Sequence, residues 1–154
     1  MADLERRVKE LAARLQRLED ELAIQRLIVA YGIAADRGDA DGAAATFAED
    51  GVYDVDMGVM RGRMAVADML RGARHQAMVG RCAHQIGPAV IEIDGDCALA
   101  TGYSRVYLAS KDGVRVYRVS TNRWKLERRG GGWVVVSRTT RLLGHTESLM
   151  PFGG

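Results

Sequence analysis

Between residues 81 and 143 the chain is a run of four long segments in which apolar and polar residues alternate, separated only by tight turns. The segments are 82–93, 97–110, 114–128 and 133–143, and the breaks carry Gly95-Asp96, Asp112-Gly113 and Gly130 to Gly132. Alternation with period two marks strands, and turns this short join only antiparallel neighbours, because parallel strands need a crossover of a dozen or more residues. The second half is therefore expected to be a meander of successive hairpins. The first half reads as helices, which places the chain in the α+β class. The expected architecture is a cone-shaped α+β barrel, with three N-terminal helices packed against a strongly curved antiparallel sheet. The deep end of such a cone is a natural apolar pocket.

Leu4, Val8, Leu11, Leu15, Leu18 and Leu22 alternate spacings of four and three, the seam that lets one helix pack lengthwise on another. With Leu4 at a d position, Arg14 falls at g and Glu19 at e, where a parallel partner pairs them. Residues 1–23 are thus read as a coiled-coil-like extension, and 24–154 as the barrel domain. A competing reading folds the stripe back onto its own domain. Burying each of these side chains stabilises by roughly 1.5–3 kcal/mol, so some surface is expected to cover them, and a homo-oligomer is the expected arrangement. The helix is predicted to run on to about Arg37, with Gly38 ending it and Asp39 capping a short helix through Phe47. A half-buried strand follows over 51–58, then a third helix over 63–74 that exits at Gly80.

A chain of 154 residues fits one domain, and its net charge of +2 is spread along the sequence. Arg115, Arg118, Arg123, Lys125, Arg128 and Arg129 make the third long strand basic, with Tyr117 and Trp124 between them. They fall on both faces, which suits an edge or an oligomer interface better than a nucleic-acid platform, so no nucleic-acid partner is expected. The charged start and the lack of a long apolar run lead to no membrane partner and a cytoplasmic location. Cys82 and Cys97 are then two reduced thiols in strands, with no spacing for a zinc site. No Walker loop, GxGxxG turn, GxSxG elbow or HExxH helix is present, so no cofactor and no metal are expected.

The stretches LERRVKELAARLQRLEDELAIQRLIVAYGIAADRGD, FAEDGVYDVD, CAHQIGPAVIEIDGD and GGWVVVSRTTR resemble the SnoaL-like branch of the nuclear transport factor 2-like superfamily. Within it the chain is most similar to the bile acid 7α-dehydratases, and more remotely to scytalone dehydratases and SnoaL-type polyketide cyclases. The resemblance implies the cone-shaped fold, a trimer as the favoured oligomer, and catalytic roles for Tyr31, Asp36 and His84. The family's basic residue on the last strand falls on Arg141 across a one-residue gap, with Arg138 competing. Its second tyrosine falls near Val55, whereas Tyr53 stands two residues earlier on the same face.

Those residues suit proton transfer. An imidazole takes and returns protons near neutral pH, and a carboxylate on one ring nitrogen fixes its tautomer and stabilises the imidazolium. His84 with Asp36 can thus remove a carbon-bound proton beside a carbonyl. Tyr31 and Tyr53 can donate to the enolate oxygen, and Arg141 can face a leaving group or an anionic tail. Tyr103, Tyr107 and Met57 are further candidate lining residues, and Met57, Met60, Met64 and Met69 either form an adaptable mouth or fill gaps. Each role has a structural alternative: a hydrogen-bonded strand histidine, an aspartate capping the turn at Gly38, a packed tyrosine. His75 and His145 sit in loop-like contexts and are assigned no chemistry. The expected function is a cofactor-independent lyase or isomerase on an apolar ring-containing molecule such as a steroid, polyketide or aromatic catabolite. The alternatives are a cyclase or carbon-carbon lyase with the same dyad, and a noncatalytic binding or assembly subunit.

Overall fold

The computed structural model describes residues 1–152; the last two residues of the expected 24–154 domain lie outside the described residues. Helix α1 (Ala2–Asp36) is unbroken over 35 residues, about 50 Å at 1.5 Å per residue. It ends as its sequence dictates. Gly38 adopts φ +73°, and the N–H groups of Gly38 and Asp39 close back onto the carbonyls of Ala35 and Ala34 at 3.1 and 2.9 Å. This double closure satisfies the orphan carbonyls of the last turn. The Asp39 carboxylate then accepts from the Gly42 N–H at 2.8 Å and starts α2 (Ala40–Ala44). That helix stops short of the expected Phe47, because Phe47 already opens strand β1 (Phe47–Val55). Strand β2 (Gly58–Arg61) is a hairpin return that the sequence reading did not separate. The third helix is broken at Gly72, whose extended ψ of 149° splits it into α3 (Arg63–Arg71) and α4 (Ala73–Gln76).

The four long segments form β3 (Cys82–Asp94), β4 (Cys97–Ser110), β5 (Gly113–Arg129) and β6 (Gly132–Leu142). They lie in one six-stranded sheet of order β2-β1-β6-β5-β4-β3. The expected curved antiparallel sheet is present, with one parallel pairing that the sequence reading did not foresee: β1 runs parallel to β6. Turn length governs only strands adjacent in sequence. Between β1 and β6 lie two helices and four strands, ample chain for a parallel return.

Three bulges bend the meander. Gly87 and Pro88 interrupt β3, Tyr117 is the extra residue of β5, and Val136 that of β6. A bulge shifts the two-residue alternation by one, so the inward face of a strand changes parity there. On β6 the buried side chains are Trp133 and Val135 before the bulge, but Arg138 and Thr140 after it.

The second half of α1 lies across the concave face, burying Ile24, Ile28 and Tyr31 against Phe47, Trp124 and Leu126. Asp20 clamps the helix down: it accepts from the Trp133 indole at 3.0 Å and pairs with Arg128 at 2.9 Å, while the Arg128 guanidinium covers the Trp133 ring. Before Asp20 no side chain of α1 is buried, so the leucine stripe does not fold back on its own domain. The basic strand is largely neutralised, with Arg118 paired to Asp56, Arg128 to Asp20 and Asp96, and Arg129 to Asp50 and Glu127. Among the described residues, no helix is long and apolar enough to cross a membrane.

Candidate active site

The helix and the sheet come into close contact beside His84. A Cβ placed on Gly32 would lie 3.0 Å from the His84 carbonyl oxygen, so glycine lets α1 rest directly on β3. One turn further on, Asp36 reaches His84 from the helix end. Its carboxylate accepts from the His84 backbone N–H at 2.7 Å and contacts the ring Nδ1 at 2.5 Å. Cys82, two residues back on the same strand face, donates its thiol to Asp36 at 3.3 Å. Burial acts to raise the Asp36 pKa, but the ring and backbone bonds from His84, with help from Cys82, outweigh it and hold the carboxyl below its usual range. An ionised carboxylate can only accept, which assigns the ring proton to Nδ1 and leaves Nε2 as the basic nitrogen. Beside this pair stands His75, which the sequence reading set aside. It is buried, its Nε2 bonds the Ala35 carbonyl at 2.8 Å, and its ring centre lies 6.1 Å from that of His84.

Cys82 is a thiol pushed up to about 11 by burial and by the Asp36 charge beside it. Because the thiolate is the nucleophile, Cys82 stays almost unreactive until the pH approaches that value. Iodoacetamide at pH 8, read by peptide mass, is expected to label exposed Cys97 and to spare Cys82 until the fold is denatured. Equal labelling of both thiols in the folded protein would contradict this environment.

His84 opens onto a cavity of about 310 Å³, enclosed by α1, β1, α3, the α4 region and the inner faces of β4, β5 and β6. Tyr31, Tyr53, Val55 and Met57 of the sequence candidates line it together with His84. Tyr31 and Tyr53 meet edge to face at 6.3 Å. Burial pushes the Tyr31 phenol well above its ordinary range, Tyr53 adds to the rise, and the Arg138 charge offsets only part of it. Tyr31 therefore remains a neutral hydrogen-bond donor.

Arg141 is not in this cavity. Three residues from Arg138 on the same strand, it points to the other face and pairs with Asp54 at 2.9 Å and Glu147 at 3.3 Å. Of the two β6 arginines Arg138 is the inward one, 3% exposed, and it lines the cavity together with Arg74 and Arg118. Its guanidinium donates to the Asn122 side-chain oxygen at 2.8 and 3.1 Å and lies 4.7 Å from the Tyr53 ring centre, 4.8 Å from Tyr31 and 5.4 Å from Trp124. Among the described residues no carboxylate pairs with it. Tyr103 and Tyr107 also lie outside the cavity, since β4 turns Ser104 and Val106 inward and the intervening odd positions outward. Tyr103 packs on Phe152, and the Tyr107 hydroxyl donates to Gln85 at 2.9 Å. Met57 and Met69 join Met78 at the rim, while Met60 and Met64 do not line it.

Sequence reasoning missed Asn122, Ser104, Ser120 and Tyr117. Asn122 is wholly buried and binds Arg138, Thr140 and Ser104, a polar web inside an otherwise apolar strand pattern. An asparagine two residues from buried Trp124, on the same face, was the available signal. Tyr117 faces the cavity because it is itself the bulge.

Helices packed on a curved six-stranded sheet, with a hydrogen-bonded His84–Asp36 pair beside an internal cavity, define a fold class that the comparisons name. The chain belongs to the SnoaL-like domain family, whose model matches residues 16–139. It is similar to a nuclear transport factor 2-like protein with a cystatin-like fold from Novosphingobium aromaticivorans, at 38% identity over 95% of this chain and 97% of that one, with a TM-score of 0.90. A protein of unknown function from Mycobacterium tuberculosis is 27% identical over 90% of this chain and 79% of its own, with a TM-score of 0.78. A Catenulispora acidiphila protein, solved in complex with S-DNPA, shares the fold at 23% identity, covering 79% of this chain and 91% of that one, with a TM-score of 0.70. No curated protein matches the chain.

Proposed function

We propose that the protein is a cofactor-independent, dehydratase-like lyase or an isomerase acting on an apolar ring-containing carbonyl compound. The observation that carries this reading is the contact of 2.5 Å between His84 Nδ1 and Asp36, which leaves Nε2 to face a cavity also lined by Arg138. His84 removes a proton from the carbon beside the substrate carbonyl, and Asp36 stabilises the imidazolium. The C–H electron pair moves to the carbonyl oxygen, where Arg138 and the hydroxyls of Tyr31 and Tyr53 bind the enolate. As the enolate collapses, a hydroxyl on the next carbon departs with the electron pair of its C–O bond, accepts the proton from His84 and leaves as water. If no hydroxyl stands there, the same proton returns at a conjugated carbon and the product is an isomer.

The cavity supports an apolar substrate: its rim is methionine and its walls include Val55, Leu70, Val106 and Leu142. About 310 Å³ lies at the lower end of small-molecule sites. The noncatalytic reading expects no connected dyad, and the geometry of His84 and Asp36 speaks against it. The test is turnover over a panel of cyclic β-hydroxy ketones and unconjugated enones at neutral pH, with products weighed by mass spectrometry. Loss of water, or an unchanged mass with a shifted double bond, is expected. Loss of an aldehyde would replace this reading with a carbon-carbon lyase. Tight binding of the whole panel without turnover would replace it with a binding subunit.

A further inference from the structure

We infer that α1 is the assembly element of this protein, and that its outer face joins a second copy of the same chain as a parallel, in-register coiled coil. In the single chain Leu4, Val8, Leu11, Leu15, Leu18 and Leu22 are each between 49% and 67% exposed. The stripe does not stop at the domain. Val29 and Ile33, on the same side of the helix, are 41% and 54% exposed although the opposite side is packed in the core. At about 100° per residue, the mean direction of the leucine stripe is turned about 150° from that of the buried residues Asp20, Ile24, Ile28, Tyr31, Gly32 and Ala35. The clamp on Asp20 therefore fixes the body on one side of the helix and presents the seam outward. No movement of the domain is needed to admit a partner helix.

Charge selects the occupant and its direction. With Leu4, Leu11 and Leu18 at d and Val8, Leu15 and Leu22 at a, the flanking g positions are Arg7, Arg14 and Glu21, and the e positions are Glu5, Ala12, Glu19 and Arg26. In a parallel pair each g residue faces the e residue five positions later on the other helix. Arg14 then meets Glu19 of the other copy and Glu21 meets its Arg26, with no like charges opposed. An antiparallel pair that covers all six layers sets Arg14 against Arg14 and Glu5 against Glu19. A second copy run parallel thus supplies both the apolar seam and the complementary flanks. Among the described residues, four of these charged side chains, Arg14, Glu19, Glu21 and Arg26, make no ion pair within the chain.

The experiment uses the full chain in a Cys97→Ser background, which removes the exposed native thiol, with Leu11→Cys added at the middle of the seam. Mild oxidation is expected to give a covalent dimer through residue 11, because only parallel, in-register helices bring that position opposite itself. Ala13→Cys, on the side of the helix turned away from the seam, is expected to remain uncrosslinked. Arg14→Glu is expected to shift the concentration midpoint of assembly, followed by light scattering, upward by several fold, and Glu19→Arg in the same chain to restore it. A parent protein that is monomeric at tens of micromolar would overturn the inference. So would an oligomer that persists unchanged with Leu11→Glu and Leu15→Glu, since the sheet would then carry assembly. Crosslinking of Leu11→Cys to Leu15→Cys, but not to itself, would overturn the direction.

Discussion

Replacing His84 with Gln is expected to lower kcat by about 10²- to 10⁴-fold, the range in which a positioned general base acts, while leaving substrate binding and the fold intact. Glutamine can keep a hydrogen bond to Asp36 but offers no basic nitrogen, so the variant isolates proton transfer from packing. A loss of less than tenfold would remove His84 from the mechanism. Asp36→Asn should be nearly as damaging for a different reason. Asp36 accepts from both the backbone N–H and the ring of His84. An amide that keeps the backbone bond turns its NH2 group to Nδ1, which forces the ring proton onto Nε2 and blocks the base. Steady-state kinetics beside a thermal melt and a ligand titration separate these effects from unfolding.

Arg138→Met is expected to remove about 10²- to 10³-fold of activity without lowering the melting temperature, and it can raise it. The activity side follows from the cavity, which this guanidinium lines between Tyr31 and Tyr53, where it can meet an enolate oxygen. The stability side follows from its partners. A charge only 3% exposed and bonded to a neutral amide lacks the anion that would repay its desolvation, and three aromatic rings compensate by about 2 kcal/mol or somewhat more each when dry. Methionine fills the same slot, and Asn122 keeps the Thr140 hydroxyl as a donor at 2.8 Å. Kinetics and calorimetry on one preparation decide the matter. A stability loss of several kcal/mol with normal residual kcat would make Arg138 a structural residue.

Much of this was legible in the residues. Gly38 and Asp39 announced the end of one helix and the start of the next, and the turn glycines delimited the four long strands to within a residue or two. The parallel pairing of β1 was not legible, because alternation shows that a segment is a strand but not which neighbour it takes. The choice between Arg138 and Arg141 failed for a sharper reason. Both stand on β6, and the bulge at Val136 decides which of them faces inward. No glycine or proline marks that bulge. Tyr103 and Tyr107 were read correctly as sharing a face, and the face proved to be the outer one. His75 was passed over because α4 is a single turn, too short to register as a helix.

The pairing of β1 with β6 also fixes the order in which this molecule can come into being. Val52 lies against Ser137, 85 positions later, whereas each hairpin from β3 to β6 closes over a few residues. Closing so long a span costs chain entropy that local hairpins avoid, so the meander has the kinetic advantage and the β1 edge is the natural late arrival. Tyr53 reaches Arg138 only when that edge docks. A nascent or partly unfolded chain can therefore possess most of its sheet and still have no binding chamber, and the chamber is the part of the molecule most easily lost without melting the rest.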